Sequence, residues 1–244
     1  MKKIKALILA GGKGTRLRPL TLDTPKSLIK IKNKTMLEHL FDLFKKYGIN
    51  EIILSVGYMK DKIKEYVGEG KKFNVHLEYI EEDFPLGTAG PIKKAERLLT
   101  ERFFVSNGDE LKDIPLEDML REHIKNKGLV TIALTKVPNP SDYGVVNLNG
   151  NRIKEFVEKS KTFIGRAYIN AGLYLMEKEI IEHIRDGYCV LEKDVFPYIA
   201  EQHKLYGYIF KGQWFDIGNI ERYKEALRSW KVLDKKCQKK KKIK

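Results

Sequence analysis

The sequence is poor in cysteine and has no long apolar run. Its 244 residues include two cysteines, Cys189 and Cys237. Because these lie far apart in the chain, we expect no disulfide framework and a reducing compartment. No stretch approaches the about 18 apolar residues of a membrane-spanning helix. The apolar residues 4–10 are interrupted by Lys5 and are too few for the core of a secretory signal. We therefore expect a cytoplasmic protein without a membrane partner.

Acidic residues are outnumbered, and the formal net charge is +14. About half of this excess lies in residues 231–244, which contain eight lysines and one aspartate. Such a run is typical of a solvated terminus, so we predict a disordered basic tail over residues 233–244. The rest of the chain is mildly basic, which suits an enzyme with anionic substrates better than a specific nucleic-acid partner.

Histidine is also scarce, and the few histidines show neither metal-ligand spacing nor a nucleophile partner. We expect them to lie on the surfaces of helices and strands. They are His39, His76, His123, His183 and His203.

Short apolar segments alternate with amphipathic ones in a pattern that is typical of an α/β protein. We predict strands at residues 4–10, 51–56, 75–80, 103–106, 129–137, 144–148, 153–157, 171–176, 205–210 and 214–217, and a short extended piece at 27–31. We predict helices at residues 35–47, 59–67, 88–99, 115–125, 177–185, 192–202 and 219–232. This alternation favours a mostly parallel mixed sheet with helices on both faces. Asn149-Gly150 predicts a hairpin turn.

The pattern changes near residue 129, after which strands dominate. We interpret residues 1–232 as a single domain whose two parts, 1–128 and 129–232, share one sheet.

A glycine-rich loop follows the first predicted strand. Gly11, Gly12 and Gly14 would let the backbone approach phosphate oxygens without a Cβ in the way. The Arg16 guanidinium could donate two hydrogen bonds to one phosphate, and the Lys26 ammonium offers a point charge. A strand, a glycine loop and spaced cations together predict a polyphosphate site, here for a nucleoside triphosphate.

Two common phosphate-binding motifs do not fit this loop. A Walker motif needs Ser or Thr after its lysine, but Gly14 follows Lys13. A dinucleotide fingerprint that starts at Gly12 would need a third glycine where the chain has Leu17.

Seven sequence blocks, in this order, resemble those of the sugar-1-phosphate nucleotidyltransferases, also called NDP-sugar pyrophosphorylases. The blocks are LAGGKGTRLRPLT with the following TPK, PLGTAG at 85–90, NGD at 107–109, YGVV at 143–146, FVEK at 156–159, NAGLY at 170–174 and WFDIG at 214–218. The resemblance covers almost the whole chain before the tail. It implies a Rossmann-like three-layer fold, transfer of a nucleotidyl group from an NTP to a sugar 1-phosphate, and a homodimer or homotetramer.

The resemblance also implies roles for the charged residues. Arg16 and Lys26 would stabilise the reacting phosphates. Asp109 and Asp216 match the family's two metal-binding carboxylates, and carboxylates at this edge of a sheet suit Mg²⁺. Each aspartate alone would more often be a turn or helix-capping residue. The NTP-binding positions would be Leu9, Gly11, Gly12, Gly14, Thr15, Glu82, Gly87 and Thr88.

On the sugar side, residues 129–232 would hold the second substrate. The resemblance implies that Lys159 contacts the phosphate of the sugar 1-phosphate and that Glu158 contacts its hydroxyl groups. Without the resemblance, this pair would be interpreted as ordinary surface charge. Tyr143, Gly144 and Asn170 are the other matching positions.

Glu82 gives a hypothesis for the nucleotide base. In relatives that transfer thymidylyl or uridylyl groups, glutamine is common at this position. A carboxylate only accepts hydrogen bonds, and guanine offers two adjacent donors at N1 and N2. Glu82 therefore favours GTP, unless Glu81 or Asp83 takes this place or Glu82 faces solvent.

The blocks PLGTAG and NGD, with EKD at 192–194, are similar to the branch of mannose-1-phosphate and heptose-1-phosphate guanylyltransferases. We therefore expect GTP with one of these sugars, and UTP or dTTP with glucose-1-phosphate is the alternative. A GT-A glycosyltransferase would show Asp-X-Asp where this chain has Asn107-Gly108-Asp109. A non-catalytic regulatory relative would be expected to lose charged residues that are present here.

Overall fold

The computed structural model describes residues 4–158 and 167–233. The strands are β1 Lys5–Leu9, β2 Lys30–Ile31, β3 Lys34–Thr35, β4 Glu51–Val56, β5 His76–Glu81, β6 Arg102–Asn107, β7 Glu110–Lys112, β8 Val130–Val137, β9 Gly144–Asn149, β10 Arg152–Glu158, β11 Ala167–Glu177, β12 Leu205–Ile209 and β13 Trp214–Asp216. The α-helices are α1 Met36–Lys46, α2 Lys60–Val67, α3 Gly90–Lys94, α4 Leu116–Asn126, α5 Phe196–Glu201 and α6 Ile220–Ser229. In these two stretches, no helix has the length and apolar character needed to cross a membrane.

Nine strands form one sheet in the order β5-β4-β1-β6-β11-β8-β12-β10-β9. The strands β5, β4, β1 and β6 are parallel to one another, whereas β11 runs antiparallel to both β6 and β8. Parallel and antiparallel pairings are equally represented along this order, so the sheet is more evenly mixed than predicted. The predicted hairpin joins β9 to β10 around Gly150, whose φ is 63°.

Both predicted parts of the chain contribute strands to this sheet. The boundaries at residues 128 and 232 remain predictions. Residues 234–244 of the predicted tail lie outside the described residues.

Apolar cores cover both faces of the sheet. On β1, Leu7 belongs to one core and its neighbours Ala6 and Ile8 belong to the other, because successive side chains on a strand point to opposite faces. Helices α3 and α5 contribute to the core with Leu7, and α1, α2 and α4 contribute to the other. A third core joins α6 to the segment after the glycine loop through Trp230 and Leu17.

Helix α1 forms where the sequence predicts it because its ends are specified locally. The Thr35 hydroxyl accepts a hydrogen bond from the Glu38 backbone N–H at 3.2 Å, and the Glu38 carboxylate accepts one from the Thr35 N–H at 2.8 Å. Gly48, with φ of 73°, follows the last turn.

Several predicted helices are wrong in extent or type. The helix predicted at 88–99 is an α-helix only over Gly90–Lys94, and turns continue to Leu98 because packing of this segment into the core sets its path. The chain forms a 3₁₀ helix over Lys178–His183 in place of the one predicted at 177–185. The other differences are a π-helical turn at Leu191–Val195 before α5, a 3₁₀ turn at Lys26–Leu28 that overlaps the piece predicted as extended at 27–31, and the end of α6 at Ser229.

Two histidines are buried, contrary to the prediction that all lie on the surface. His39 Nε2 lies 3.0 Å from the carbonyl oxygen of Ile31. The ring nitrogens of His123 lie 2.7 Å from the Thr131 hydroxyl and 3.0 Å from the Glu177 carboxylate. Burial lowers the pKa of both imidazoles, although the Ile31 carbonyl opposes the shift at His39 and the Glu177 carboxylate opposes it at His123.

We expect the free energy of unfolding to fall as the pH is lowered from about 7 towards 5, through the unfolded histidine pKa of about 6.5. A histidine with a lowered folded-state pKa stays neutral in the folded chain while the unfolded chain binds a proton. Its stabilising contribution is therefore complete above the unfolded pKa and is lost as the pH falls towards the folded one. Urea unfolding at pH 7.5, 6.5 and 5.5 measures this loss. His39→Gln should weaken the pH dependence, and the same change at the exposed His203 should not; greater stability at pH 5.5 would contradict the expectation.

Candidate active site

The carboxyl ends of three parallel strands meet at one edge of the sheet. Leu9 at the end of β1 pairs with Ser55 of β4 on one side and with Asn107 of β6 on the other. The chain passes from β1 to β4 and β5 on one side and then crosses to β6 on the other side of β1. This reversal of strand order opens a crevice at the carboxyl ends of β1 and its neighbours. The glycine loop after β1 therefore lies beside residues 107–109.

A cavity of about 320 Å³ lies in this crevice. It brings together most of the residues that the sequence assigned to the NTP, including Lys26 and the first predicted metal ligand. The predicted residues in its wall are Leu9, Gly11, Gly12, Lys26, Glu82, Gly87, Thr88 and Asp109. Gly14, Thr15 and Arg16 are not part of this wall, and the side chains of Thr15 and Arg16 are exposed.

The glycines of the loop have different surroundings. A Cβ on Gly12 would meet no atom within 4 Å, so this position has open space beside it. A Cβ on Gly11 would lie 2.6 Å from Glu82 Oε1 and would displace that carboxylate. Gly14 has φ of 62°, and a Cβ there would lie 3.0 Å from the Cβ of Lys26. Gly11 and Gly14 therefore fix the close approach of the loop to two charged residues.

Lys26 and Asp109 form an ion pair in the wall of the cavity. Lys26 is 9% exposed, and its Nζ donates to Asp109 Oδ2 at 2.5 Å. Burial alone would raise the pKa of Asp109, but the neighbouring Lys26, with a smaller effect from Lys112, lowers it below its ordinary value. Asp109 is therefore ionised at neutral pH.

Asp216 lies next to Asp109 because of a two-stranded ribbon. Strands β7 and β13 pair antiparallel, with Asp216 opposite Glu110, and the Ile217 N–H donates to the carbonyl oxygen of Asp109 at 3.1 Å. Burial and then the negative charge of Asp109 raise the pKa of Asp216, and Arg222, whose Nη1 donates to Asp216 Oδ2 at 2.6 Å, opposes this shift. The two predicted metal carboxylates thus repel each other.

This pair of carboxylates fits Mg²⁺. A cation between Asp109 and Asp216 would relieve the repulsion, and oxygen is the ligand that Mg²⁺ prefers. Within residues 4–158 and 167–233, no three or more His, Cys, Asp or Glu side chains are grouped as a metal site. The other ligands would therefore come from the nucleotide phosphates and water, as is usual for this ion.

Glu82 is the one member of its acidic trio, residues 81–83, that lines the cavity. Its Oε1 accepts a hydrogen bond from the Ser55 hydroxyl at 2.7 Å, and its Oε2 accepts one from the Leu86 N–H at 3.2 Å. Glu81 pairs with Lys60 and Lys64, and Asp83 is exposed and pairs with Lys60. The carboxylate of Glu82 is therefore held in one orientation beside Gly11.

Thr88 and Asn170 are linked by a chain of hydrogen bonds that the sequence did not reveal. The Thr88 hydroxyl donates to Glu192 Oε2 at 2.7 Å, and the Tyr174 hydroxyl donates to Glu192 Oε1 at 3.1 Å. Asn170 Nδ2 in turn donates to the Tyr174 hydroxyl at 2.8 Å. Burial is the main cause that raises the pKa of Tyr174 well above its ordinary range, so this hydroxyl keeps its proton.

The predicted sugar-side residues lie on neighbouring strands. Gly144 at the start of β9 pairs with Glu158 of β10, and the ring of Tyr143 packs edge-on against Trp214 with centroids 5.4 Å apart. Lys159 lies outside the described residues, as does the side chain of Glu158.

A buried ion pair lies directly behind the carboxylates. Lys112 donates to the carbonyl oxygen of Gly172 at 2.6 Å and lies 3.4 Å from Glu110. Glu110 accepts hydrogen bonds from Asn107 and Trp214, each at 2.9 Å. The sequence prediction missed Glu110 and Lys112; their spacing of two in a strand after NGD, which puts both side chains on one face, was the available signal.

Most of the chain matches known proteins. Residues 5–231 match the nucleotidyl transferase family. The chain is 42% identical over 221 residues to mannose-1-phosphate guanyltransferase beta-B of Xenopus laevis, a match that covers 88% of this chain and 61% of that protein. It is 41% identical over 229 residues to the mannose-1-phosphate guanylyltransferase catalytic subunit beta of Dictyostelium discoideum, with 92% and 64% covered. The chain thus spans less than two thirds of the length of these relatives.

Solved structures share the same architecture. HddC from Yersinia pseudotuberculosis, also solved in complex with GMP-PN, superposes with a TM-score of 0.80 at 29% identity, covering 93% of this chain and 100% of HddC. A putative glucose-1-phosphate thymidylyltransferase from Bacillus anthracis gives a TM-score of 0.85 at 24% identity, covering 95% and 98%, and shows the shared fold alone. The predicted Rossmann-like α/β fold is confirmed. With its match over residues 5–231 and relatives above 40% identity, the chain belongs to the nucleotidyl transferase family.

Proposed function

We propose that the chain transfers a guanylyl group from GTP to mannose-1-phosphate or a heptose-1-phosphate, releasing pyrophosphate. The observation that carries the proposal is the glycine-lined cavity with its Lys26–Asp109 pair, in a chain about 42% identical to proteins named as mannose-1-phosphate guanyltransferases. The catalytic and binding roles of the individual residues are part of this proposal.

The reaction needs positioning and charge more than proton transfer. An oxygen of the sugar 1-phosphate attacks the α-phosphorus, a new P–O bond forms, and the bond from the α-phosphorus to the bridging oxygen breaks, so that pyrophosphate leaves with the electron pair. The attacking phosphate, with a second pKa of about 6, is already anionic near pH 7. A general base is therefore unnecessary, and the protein must bring two anions together.

Lys26 and the amides of the glycine loop would bind the NTP phosphates in the cavity. Arg16, exposed beyond its wall, is free to reach the leaving pyrophosphate as a bidentate donor. Lys159 would hold the attacking phosphate. Asp109 and Asp216 would hold Mg²⁺, which supplies positive charge to the phosphates when it is bound.

Glu82 would recognise the nucleotide base by accepting hydrogen bonds from it. A carboxylate has about four acceptor positions, and Ser55 and Leu86 use one on each oxygen. Acceptor capacity therefore remains for the adjacent N1 and N2 donors of guanine. Gly87 and Thr88 would border the same subsite.

A substrate panel tests the proposed reaction. Pyrophosphate release is measured from GTP, UTP, dTTP, CTP and ATP, each with mannose-1-phosphate, a heptose-1-phosphate and glucose-1-phosphate or with no acceptor. Release that needs both GTP and mannose- or heptose-1-phosphate supports the proposal. Preference for UTP or dTTP with glucose-1-phosphate would establish the alternative. Sugar transfer from an NDP-sugar would indicate a glycosyltransferase, and inactivity in every combination would indicate a regulatory relative.

We also propose that the protein works in the cytoplasm as a homodimer or homotetramer, without a nucleic-acid or membrane partner. The absence of membrane-spanning helices from the described residues is compatible with this proposal. Light scattering on the purified chain measures the assembly, and a monomer at working concentration would contradict it.

Glu82→Gln is expected to lower kcat/KM for GTP by about 10- to 100-fold, since losing a matched pair of hydrogen bonds to a base costs about 1–3 kcal/mol. An amide presents one donor and one acceptor, so turnover of UTP or dTTP should fall less or rise. Competition assays with paired nucleotides measure the change in preference. Asp83→Asn is the matched control, because Asp83 is a neighbouring exposed acid outside the cavity; a GTP preference unchanged by Glu82→Gln would refute the role of Glu82.

A further inference from the structure

Arg222 joins the two sides of the candidate site, and no sequence motif predicted a role for it. Its Nη1 donates to Asp216 Oδ2 at 2.6 Å, and its Nη2 donates to Asp142 Oδ2 at 2.5 Å. Its Cζ lies 4.9 Å from the centroid of the Tyr143 ring. One guanidinium therefore contacts a proposed metal ligand, the residue before Tyr143, and Tyr143 itself.

The helix α6 holds this guanidinium in place. Asn219 caps the helix by accepting a hydrogen bond from the Arg222 N–H at 2.9 Å, which fixes Arg222 in the first turn. Ala226 and Trp230 anchor the helix in the third core. The Arg222 side chain is 23% exposed, so its ion pairs are partly shielded from water.

The two carboxylates that Arg222 joins belong to different parts of the proposed site. Asp216 ends β13, next to Asp109 on the NTP side. Asp142 and Tyr143 immediately precede β9, on the sugar side, and Tyr143 also packs against Trp214 of β13. A displacement of Asp216 or of Asp142 would therefore also displace Arg222, the partner that both carboxylates share.

We propose that Arg222 is a positioning residue that couples binding of the sugar 1-phosphate to binding of the metal and nucleotide. This inference rests on the proposed function. The Nη1 of the guanidinium orients Asp216, and its Nη2 anchors Asp142. The face of the guanidinium packs against the ring of Tyr143. A planar fork is required for both contacts, and a lysine ammonium, a point charge, cannot keep that geometry.

The test compares the affinity for mannose-1-phosphate by isothermal titration calorimetry in two states of the protein. One is the free protein, and the other is saturated with Mg²⁺ and a GTP analogue that carries methylene between its α- and β-phosphates. Coupling predicts that the analogue tightens mannose-1-phosphate binding by at least about fivefold in the wild type. Arg222→Lys and Asp142→Asn should each bring this ratio close to one, and the double variant should lose no more than either single variant.

Arg228→Gln is the matched control, because Arg228 is an exposed arginine on the same helix, and it should keep the wild-type ratio. Asp142 is 58% exposed, so its replacement is expected to leave the fold intact; thermal unfolding checks this. A merely structural role would lower the melting temperature of Arg222→Lys without changing the ratio. A wild type that binds neither probe would overturn the proposed function. This inference alone would be overturned if both probes bind but the wild type shows no coupling. It would also be overturned if the variants keep the wild-type ratio.

Discussion

Asp109→Asn is expected to reduce pyrophosphate release by at least about 100- to 1000-fold while the chain still folds. The amide keeps the shape of the side chain but removes the charge that pairs with Lys26 and that, with Asp216, would hold Mg²⁺. Because these charges act on the phosphates in the transition state of the proposed reaction, the loss should appear mainly in kcat. Steady-state pyrophosphate assays with saturating substrates measure it.

The matched control is Asp113→Asn, the same substitution four residues further along the chain. Asp113 pairs with Lys46 and does not line the cavity, so this variant should keep full turnover. Circular dichroism and thermal unfolding verify that both variants are folded. Undiminished turnover in folded Asp109→Asn would end the assignment of Asp109 to the metal.

Lys26→Ala should cause a loss of similar size, since Lys26 and Asp109 form one charged unit in the cavity wall. Residues that act as a unit give non-additive effects, so the double variant should be little worse than either single one. Two independent losses that multiply in the double variant would show that Lys26 and Asp109 serve separate steps.

The parts of the fold that the sequence predicts well depend on local signals. The start of α1 follows from the Thr35–Glu38 pair, and the hairpin follows from Asn149-Gly150. The glycine loop and the position of Asp109 follow from strands whose apolar runs end at the same edge of the sheet. Because each sequence signal lies within a few residues of the element that it predicts, tertiary packing changes the predicted elements little.

The parts that the sequence does not predict depend on contacts between distant segments. Lys112 contacts Gly172, which is 60 positions away in the sequence, and Glu110 contacts Trp214, which is 104 positions away. Arg222 reaches Asp142 across 80 positions. A single sequence carries no record of such pairings; the contact between Glu110 and Trp214, for example, depends on the register of β7 against β13. The helix predicted at 88–99 is shorter than expected for a related reason. Its residues pack against core residues from distant parts of the chain, and these contacts determine the path of the segment.

Lys112→Met is expected to lower the free energy of unfolding by about 3–5 kcal/mol, the usual cost of breaking a buried ion pair from one side. Lys112 is 2% exposed, and its removal leaves the Gly172 carbonyl without its donor and Glu110 without its cation. Burial already raises the pKa of Glu110 and lowers the pKa of Lys112, so the charged form of each residue is unfavourable without the opposite charge of the other. Urea unfolding followed by circular dichroism measures the loss.

The double variant Glu110→Gln/Lys112→Met separates charge from packing. If the loss in Lys112→Met comes from an uncompensated buried carboxylate, neutralising Glu110 should recover at least half of it, since replacing both members of a buried pair is often close to neutral. Lys154→Met, at an exposed position of β10, should change the stability by no more than about 0.5 kcal/mol. A double variant as unstable as Lys112→Met would instead assign the loss to the hydrogen bond with Gly172. In that case the bulge of β11 at Gly172, where a Cβ would lie 2.2 Å from the Glu110 carboxylate, is what Lys112 holds in place.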